Sequence, residues 1–385
     1  MKNYLESMFS KKVGLFGVPF DPTPKDEAII IKMVYLQSKI LGRLPLPDYK
    51  DPYDYFSKHL PEVLLRESLL LGEVEIPSWI RPKPEITDID KINPDLFSEF
   101  INLGGCLKVA KKVKDFIIEK VFPRIPGMIG VDHSSTYGAL LALRSREGKN
   151  LGLIVLDSHF DAVPANLRYN LYSYASESGL PIISSKYTLQ GRVIPPSYPI
   201  DSNEKYIDAE NFLLHIIRQE VVDINNIVVI GISDYPTSAL KGNKDARVAK
   251  YVEFFEDLER RGLHFIPSSD LREYKAGKHL IENALQGLNA KKIYISLDVD
   301  IGSLSCVYAS RFLNLIGLPM ETIINIFRCL STFFPHELKL SGFDIMEIDI
   351  HKLGAKIGGR YEDKTEHIVT IFLNLIGRIV KQQDI

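Results

Sequence analysis

Six short runs rich in Val, Ile and Leu constrain this chain most. They are VGLFGV (13–18), GMIGV (127–131), LGLIVLD (151–157), NIVVIGI (226–232), KIYISLD (292–298) and LSGFDIM (340–346). A strand with one wet face alternates apolar and polar residues, whereas these runs offer apolar side chains to both sides and read as strands buried on both faces. Between them, residues 105–121, 206–222, 246–261, 276–288, 320–334 and 364–380 carry apolar side chains at three- and four-residue spacing, the pattern of a helix. Strand and helix in alternation predict a three-layer α/β/α sandwich with a mostly parallel central sheet. In such a sheet, ligands gather beyond the carboxyl ends of the strands.

Those ends carry the chemistry. His133 follows the second run in GVDHSS, Asp157, His159 and Asp161 close the third in LDSHFDA, Asp298 and Asp300 close the fifth in ISLDVD, and Glu347 follows the last in GFDIMEID. In extended chain, Asp157, His159 and Asp161 at i, i+2 and i+4 point to one side, and Asp298 and Asp300 repeat the spacing. Any one of these runs has a plainer explanation, since Asp also caps helices and single His residues are common in cores. It is their occurrence together that argues for a site. Four Asp converging without cations would repel one another, and a buried unpaired carboxylate is costly. Two divalent cations bring +4 against −4 from the four Asp, and two neutral His complete the shells. Oxygen-rich ligation with imidazole and no thiolate favours Mn²⁺ or another hard-to-borderline ion. A pair of such ions about 3.5 Å apart makes hydroxide from water near neutral pH, so metal-assisted hydrolysis is the predicted reaction class.

Composition removes other classes. At 385 residues, 45% hydrophobic and 25% charged, the chain can bury a large core. A net charge of −2 gives no field for nucleic acid or an anionic membrane. No stretch reaches the roughly 18 apolar residues of a membrane span, and residues 1–21 lack a secretion leader's long apolar region. Cys106, Cys306 and Cys329 form no CxxC pair and are odd in number, which fits buried, reduced thiols and a cytoplasmic protein. Residues 41–101 differ from the rest: rich in Pro, weakly periodic and holding Trp79, they read as a loop-rich insertion.

Taken together, the four chemistry-bearing runs resemble the ureohydrolase family of arginases, agmatinases and formimidoylglutamases, whose pattern is GGDHS, DAHxD, SFDVD and a Glu in G-x-D-x-x-E. Here these stand as GVDHS (130–134), DSHFD (157–161), SLDVD (296–300) and GFDIMEID (342–349). GLFGVPFD (14–21) is similar to the family's first strand, and IGLPMETI (316–323) stands where the family turns into a helix. The likeness runs nearly the whole length and is thinnest at 23–125. It implies a single arginase-like catalytic domain over 1–385, two Mn²⁺ per subunit, a trimer or hexamer, and hydrolysis of a small cationic guanidino or amidino substrate with release of urea. It implies that His133, Asp157, Asp161 and Asp298 hold one Mn²⁺ and His159, Asp157, Asp298 and Asp300 the other. Asp161 would orient the hydroxide, and Glu347 would pair with the substrate's planar cation.

The departures bear on substrate. Val131 replaces the second Gly, Ser158 replaces Ala, and IGSLSCVY stands where the family often has Asp-Pro. After DSHFD, arginases carry an Asn- and Ser-rich loop ending in a proton-shuttling His; this chain has AVPANLRYNLYSYASESG, leaving Tyr172, Tyr174 or solvent for that task. Phe160 is similar to formimidoylglutamases and Arg168 is a candidate for a substrate carboxylate, whereas GVPFD is similar to agmatinases. Ser233 and Asp234 fall where relatives contact the substrate's distal end, although Asp234 equally suits a turn. His351 either reaches the cleft or lies on the surface. The expectation is an agmatinase-like enzyme, with a formimidoylglutamase or other guanidino-acid hydrolase next. A catalytically silent metal-binding partner or scaffold is the reading from another class. A two-metal phosphoesterase would need basic groups near the ligands, and Arg168 is the only candidate.

Overall fold

Six of the strands anticipated from sequence join two others in one sheet in which every neighbouring pair is parallel. The computed structural model describes residues 11–44, 46–180, 188–189, 192–193, 206–302, 304, 306–313, 316–358 and 361–383. Residues 1–10, on which the leader reading rests in part, and residues 303 and 305 of IGSLSCVY lie outside the described residues. The strands are β1 (Val13–Val18), β2 (Ser68–Glu73), β3 (Ile125–Gly130), β4 (Leu151–Leu156), β5 (Ile227–Ile230), β6 (His264–Ile266), β7 (Lys292–Asp298) and β8 (Lys339–Met346). Their order across the sheet is β2-β1-β3-β8-β7-β4-β5-β6.

Successive residues of a strand face opposite sides, and here both sides are cores. Leu151, Leu153 and Val155 enter one apolar cluster while Ile154 and Leu156 enter the other; Val229 and Val228 divide in the same way. Helices cover both faces, including α1 (Asp26–Ile40), α2 (Gly105–Phe116), α3 (Ser135–Glu147), α4 (Ala165–Glu177) and α5 (Ala246–Arg260). This is the three-layer sandwich the patterning predicts, with a sheet that is parallel throughout. Among the described residues no helix is long and apolar enough to cross a membrane, and all three cysteines are buried.

Residues 41–101 hold helices Pro52–Phe56, Glu62–Glu67 and Pro94–Asn102 and the strand β2, which pairs with β1, with irregular segments between them. Two of the prolines start helices rather than break structure. Pro52 and Pro94 stand at first helical positions behind Asp51 and Asn93, whose side chains accept from the Asp54 and Leu96 amides. Residues 206–222 are helical only over Phe212–Arg218, and 117–121 continue α2 as a wider π-helical turn. α3 has no periodic signal because nearly every face of its first half, Ser135 to Leu140, is buried, so polar and small residues interrupt the apolar rhythm.

Candidate metal centre

The four chemistry-bearing runs are separated by up to about two hundred residues, yet sheet order makes them neighbours. β3, β8, β7 and β4 stand side by side at the centre, so the ends carrying His133, Glu347, Asp298 and Asp157 form one row. Within it, His133, Asp157 and Asp161 bring ligand atoms within 4.8 Å of one another, as do Asp157, His159 and Asp300, and likewise His133, Asp298 and Glu347. All six His and Asp singled out from sequence, with Glu347, therefore converge. All are buried except His159, whose side chain keeps 33% of its exposure and marks the open side.

The route to convergence differs from the extended-chain reading. β4 ends at Leu156, and the chain bends at once because the His159 amide donates to Asp157 Oδ1 at 2.6 Å. After β7 the Asp300 amide donates to Asp298 Oδ1 at 2.8 Å and starts a 3₁₀ turn over Val299–Ile301. Short carboxylate side chains compete for backbone amides in this way and pull the chain out of the strand. Gly231, just past β5, closes the space behind: its φ is +106°, and a Cβ there would lie 2.8 Å from the Asp157 carbonyl oxygen. Glu347 itself stands at φ +64°, a left-handed conformation rare for a residue with a Cβ.

Proton bookkeeping at His133 says what the cluster needs. Ser296 Oγ donates to Asp344 Oδ1 at 2.7 Å, so it has no proton left for His133 Nε2, 2.9 Å away, and accepts one from it. Nδ1 is then the lone-pair nitrogen of the neutral ring. It faces Asp298 Oδ2 at 3.1 Å, Asp161 Oδ2 at 3.3 Å and Asp157 Oδ2 at 3.5 Å, and has no hydrogen-bond partner of its own. A lone pair surrounded by carboxylate oxygens repels them unless a proton or a metal ion lies between. Asp157 Oδ2 and Glu347 Oε2 are likewise buried without a hydrogen-bond partner, whereas Asp300 Oδ2 meets His159 Nδ1 at 2.7 Å.

Without a metal, protons fill that role. Burial, then the charges of Asp161, Asp298 and Asp300, push Asp157 well above the carboxylate range; burial and the neighbouring Asp residues do the same to Glu347. Asp298 is raised by burial and by Asp300. Asp300 alone falls below its usual value, because His159 and the Ser158 hydroxyl outweigh its burial. Burial would lower both imidazoles, but the carboxylates prevail, holding His133 well above its usual range and His159 at about 9. A cluster that has to keep protons to remain buried is one that divalent cations would discharge, so the donor set fits the pair of ions read from sequence.

The other sequence candidates divide. Asp234 is part of the site's frame: its Oδ2 accepts from the Phe160 amide at 3.1 Å, and its carbonyl accepts from the Tyr251 hydroxyl. Its Oδ1 is buried without a hydrogen-bond partner. Ser233 donates through both its amide and hydroxyl to the Ser158 carbonyl. Arg168 Nη2 donates to the Phe160 carbonyl at 2.8 Å, and its charge reaches Asp161. Tyr174 accepts from Asn243 and ties α4 to the loop before α5. His351 is neither in the cleft nor free on the surface, for Nε2 meets the Pro82 carbonyl at 3.0 Å and its ring lies edge-on to Tyr35.

The sequence reading overlooked the support behind His133. Asp344 Oδ2 accepts from Thr136 at 2.6 Å and from Tyr294 at 2.7 Å while Oδ1 accepts from Ser296, so Asp344 orients the serine that orients the imidazole. A signal was present: Ser296 and Asp344 interrupt otherwise apolar strands, and they are direct register partners.

Comparison with known proteins bears on the fold and the family. The model of the Arginase family matches residues 58–352. Among solved structures, proclavaminate amidino hydrolase from Streptomyces clavuligerus is similar at a TM-score of 0.53 and 15% identity, over 97% of this chain and 93% of that one. Agmatine ureohydrolase of Thermoplasma volcanium matches at 0.50 and 20% identity, over 97% and 93%. Formiminoglutamase of Trypanosoma cruzi, solved with Mn²⁺, matches at 0.50 and 14%, over 95% and 94%. No curated protein sequence matches the chain. Identities this low speak for the fold, while the family match spans most of the length: the chain belongs to the arginase family.

Proposed function

We propose that the chain is a binuclear, Mn²⁺-dependent amidinohydrolase of agmatinase-like specificity that releases urea from a small cationic guanidine. The observation that carries this reading is His133 Nδ1, a buried ring nitrogen turned toward three carboxylate oxygens at 3.1–3.5 Å while its other nitrogen lies 2.9 Å from Ser296 Oγ. His133, Asp157, Asp161 and Asp298 would hold one ion, and His159, Asp157, Asp298 and Asp300 the other. The chemistry such a pair supplies is acidification of a water near neutral pH.

The chain's own residues supply the rest. Glu347, buried with one oxygen free of hydrogen bonds, meets a planar cation whose N–H groups satisfy it, and a guanidinium offers donors in that arrangement. Asp161 orients the attacking water and takes its proton. A C–O bond forms at the amidine carbon, the bond to the substituted nitrogen breaks, and the proton leaves with the amine. The half-exposed His159 side chain lines the entrance.

A guanidino or formimidoyl acid is the second reading, favoured by Arg168, whose charge already reaches Asp161. The Mn²⁺-loaded protein would be offered agmatine, arginine, guanidinobutyrate, guanidine and formimidoylglutamate, with urea, or formamide for the last, as product. Fastest turnover of agmatine supports the first reading, and preference for an acid supports the second. No turnover on any of them with metal bound would leave a silent metal-binding relative.

A further inference from the structure

Two residues past Glu347 begins a second set of buried charges that the chemistry above does not use. Asp21, just after β1, pairs through Oδ2 with Lys32 Nζ at 2.7 Å and with Arg311 Nη2 at 2.5 Å. Arg311 Nη1 lies 3.5 Å from Asp349 Oδ2. Lys32 is fully buried and also donates to the carbonyls of Asp21 and Arg81. Asp21, Arg311 and Asp349 keep at most 5% of their side-chain exposure.

The backbone of the same segment grips Glu347. The Arg311 amide donates to the Glu347 carbonyl at 2.9 Å, the Asp349 amide to the Ala309 carbonyl at 3.0 Å, and Ser310 bridges Ile348 in antiparallel fashion. On the other side the Glu347 amide donates to the Val131 carbonyl, two residues before His133. Glu347 therefore holds its left-handed backbone, an arrangement that costs free energy, between two clamps. One of these clamps is pinned to the body of the molecule by the Arg311 fork.

We propose that Arg311, anchored between Asp21 and Asp349, is a positioning residue that holds Glu347 in the orientation that receives the substrate cation. The proposal rests on the amidinohydrolase reading for its kinetic consequence, but not for its structural one. Arg311 touches neither the six His and Asp nor the reacting atoms. A bidentate fork is what the two carboxylates require, so lysine keeps the charge and loses the geometry.

The test compares wild type, Arg311→Lys, Arg311→Gln, Glu347→Gln and the double variant Arg311→Gln with Glu347→Gln, all loaded with Mn²⁺. It reads bound metal per chain, KM and kcat on the best substrate, and hydrogen exchange at the Glu347 amide. Arg311→Lys is expected to keep its metal, to exchange the Glu347 amide at least tenfold faster, and to lose about tenfold to a hundredfold in kcat/KM, mostly through KM. The double variant is expected to be no worse than Glu347→Gln alone. Wild-type exchange at Glu347 in both Arg311 variants overturns the proposal whatever the substrate. So do losses that multiply in the double variant, or activity lost only in proportion to metal. If Arg311→Gln fails to fold, Arg311→Lys carries the exchange and KM readings, and Asp21→Asn replaces it in the double variant. If wild type turns over nothing, the functional reading falls, while the exchange measurement still decides whether Arg311 holds Glu347.

Discussion

Two groups of buried charge meet at the end of β8 and solve the same problem in opposite ways. The buried side chains of Asp21, Asp349, Lys32 and Arg311 sum to zero, the part-exposed Lys352 adds a contact to Asp349 at 3.3 Å, and each acid has a cationic partner within 3.5 Å. Among the described residues, Asp157, Asp161, Asp298, Asp300 and Glu347 share two imidazoles and the charge of Arg168, which acts on Asp161, and several of their polar atoms lack hydrogen-bond partners. A neutral network holds the chain in place by itself, whereas one with excess negative charge waits for cations from outside. Glu347 and Asp349, two residues apart, belong to different groups because the backbone turns left-handed between the strand and the loop.

The sharpest way to break this contrast is to remove a shared acid from the uncompensated group. Asp157→Asn or Asp298→Asn should lose bound metal and at least about 10³-fold in rate, since metal chemistry supplies several kcal/mol; an active, metal-replete variant would contradict the site. Removing an acid from the balanced group should act on stability instead. Asp21→Asn leaves Lys32 and Arg311 buried without their shared partner and should cost about 3–5 kcal/mol in urea denaturation, with metal stoichiometry retained in the folded fraction. A loss well under 1 kcal/mol would mean the network contributes little.

A smaller effect is expected behind His133. Ser296→Ala removes the acceptor for Nε2–H, and Mn²⁺ affinity should weaken by about 10- to 100-fold in a competition titration. Unchanged affinity would show that the imidazole is held by packing alone. The smallest effect concerns pH. With metal stripped, His159 titrates at about 9 against 6.5 for the free side chain, burial being outweighed by Asp300. The stability from that proton is fully present below pH 6.5 and is lost as pH rises toward 9. The melting temperature of the metal-free protein should therefore fall across that window, and added Mn²⁺ should raise it most at the alkaline end. A metal-free profile that climbs with pH would overturn this assignment.

Legibility followed burial. β1, β3, β4, β5, β7 and β8 were readable to within two residues because strands buried on both faces are mostly apolar. β2 escaped because it is an edge strand with alternate residues exposed, Leu70 at 43%, in a segment whose prolines drew attention as breakers. β6 has three residues, too few for a pattern. At the site, His133, Asp157, His159, Asp161, Asp298, Asp300 and Glu347 were legible because carboxylates and imidazoles at strand ends are conspicuous. Ser296, Asp344 and Arg311 were not, since a lone hydroxyl, acid or guanidinium means little until its partner is known.

By itself the sequence determined the layers and the donors: both-face apolar runs require a covered parallel sheet, and acids and imidazoles at their ends form a set that could hold cations. Only the tertiary structure decided which ends are neighbours. The order β3-β8-β7-β4 comes from crossover connections that no local pattern encodes. It also decided which nitrogen of His133 faces the acids and which buried charges are already paired, because both depend on contacts between residues far apart in the chain.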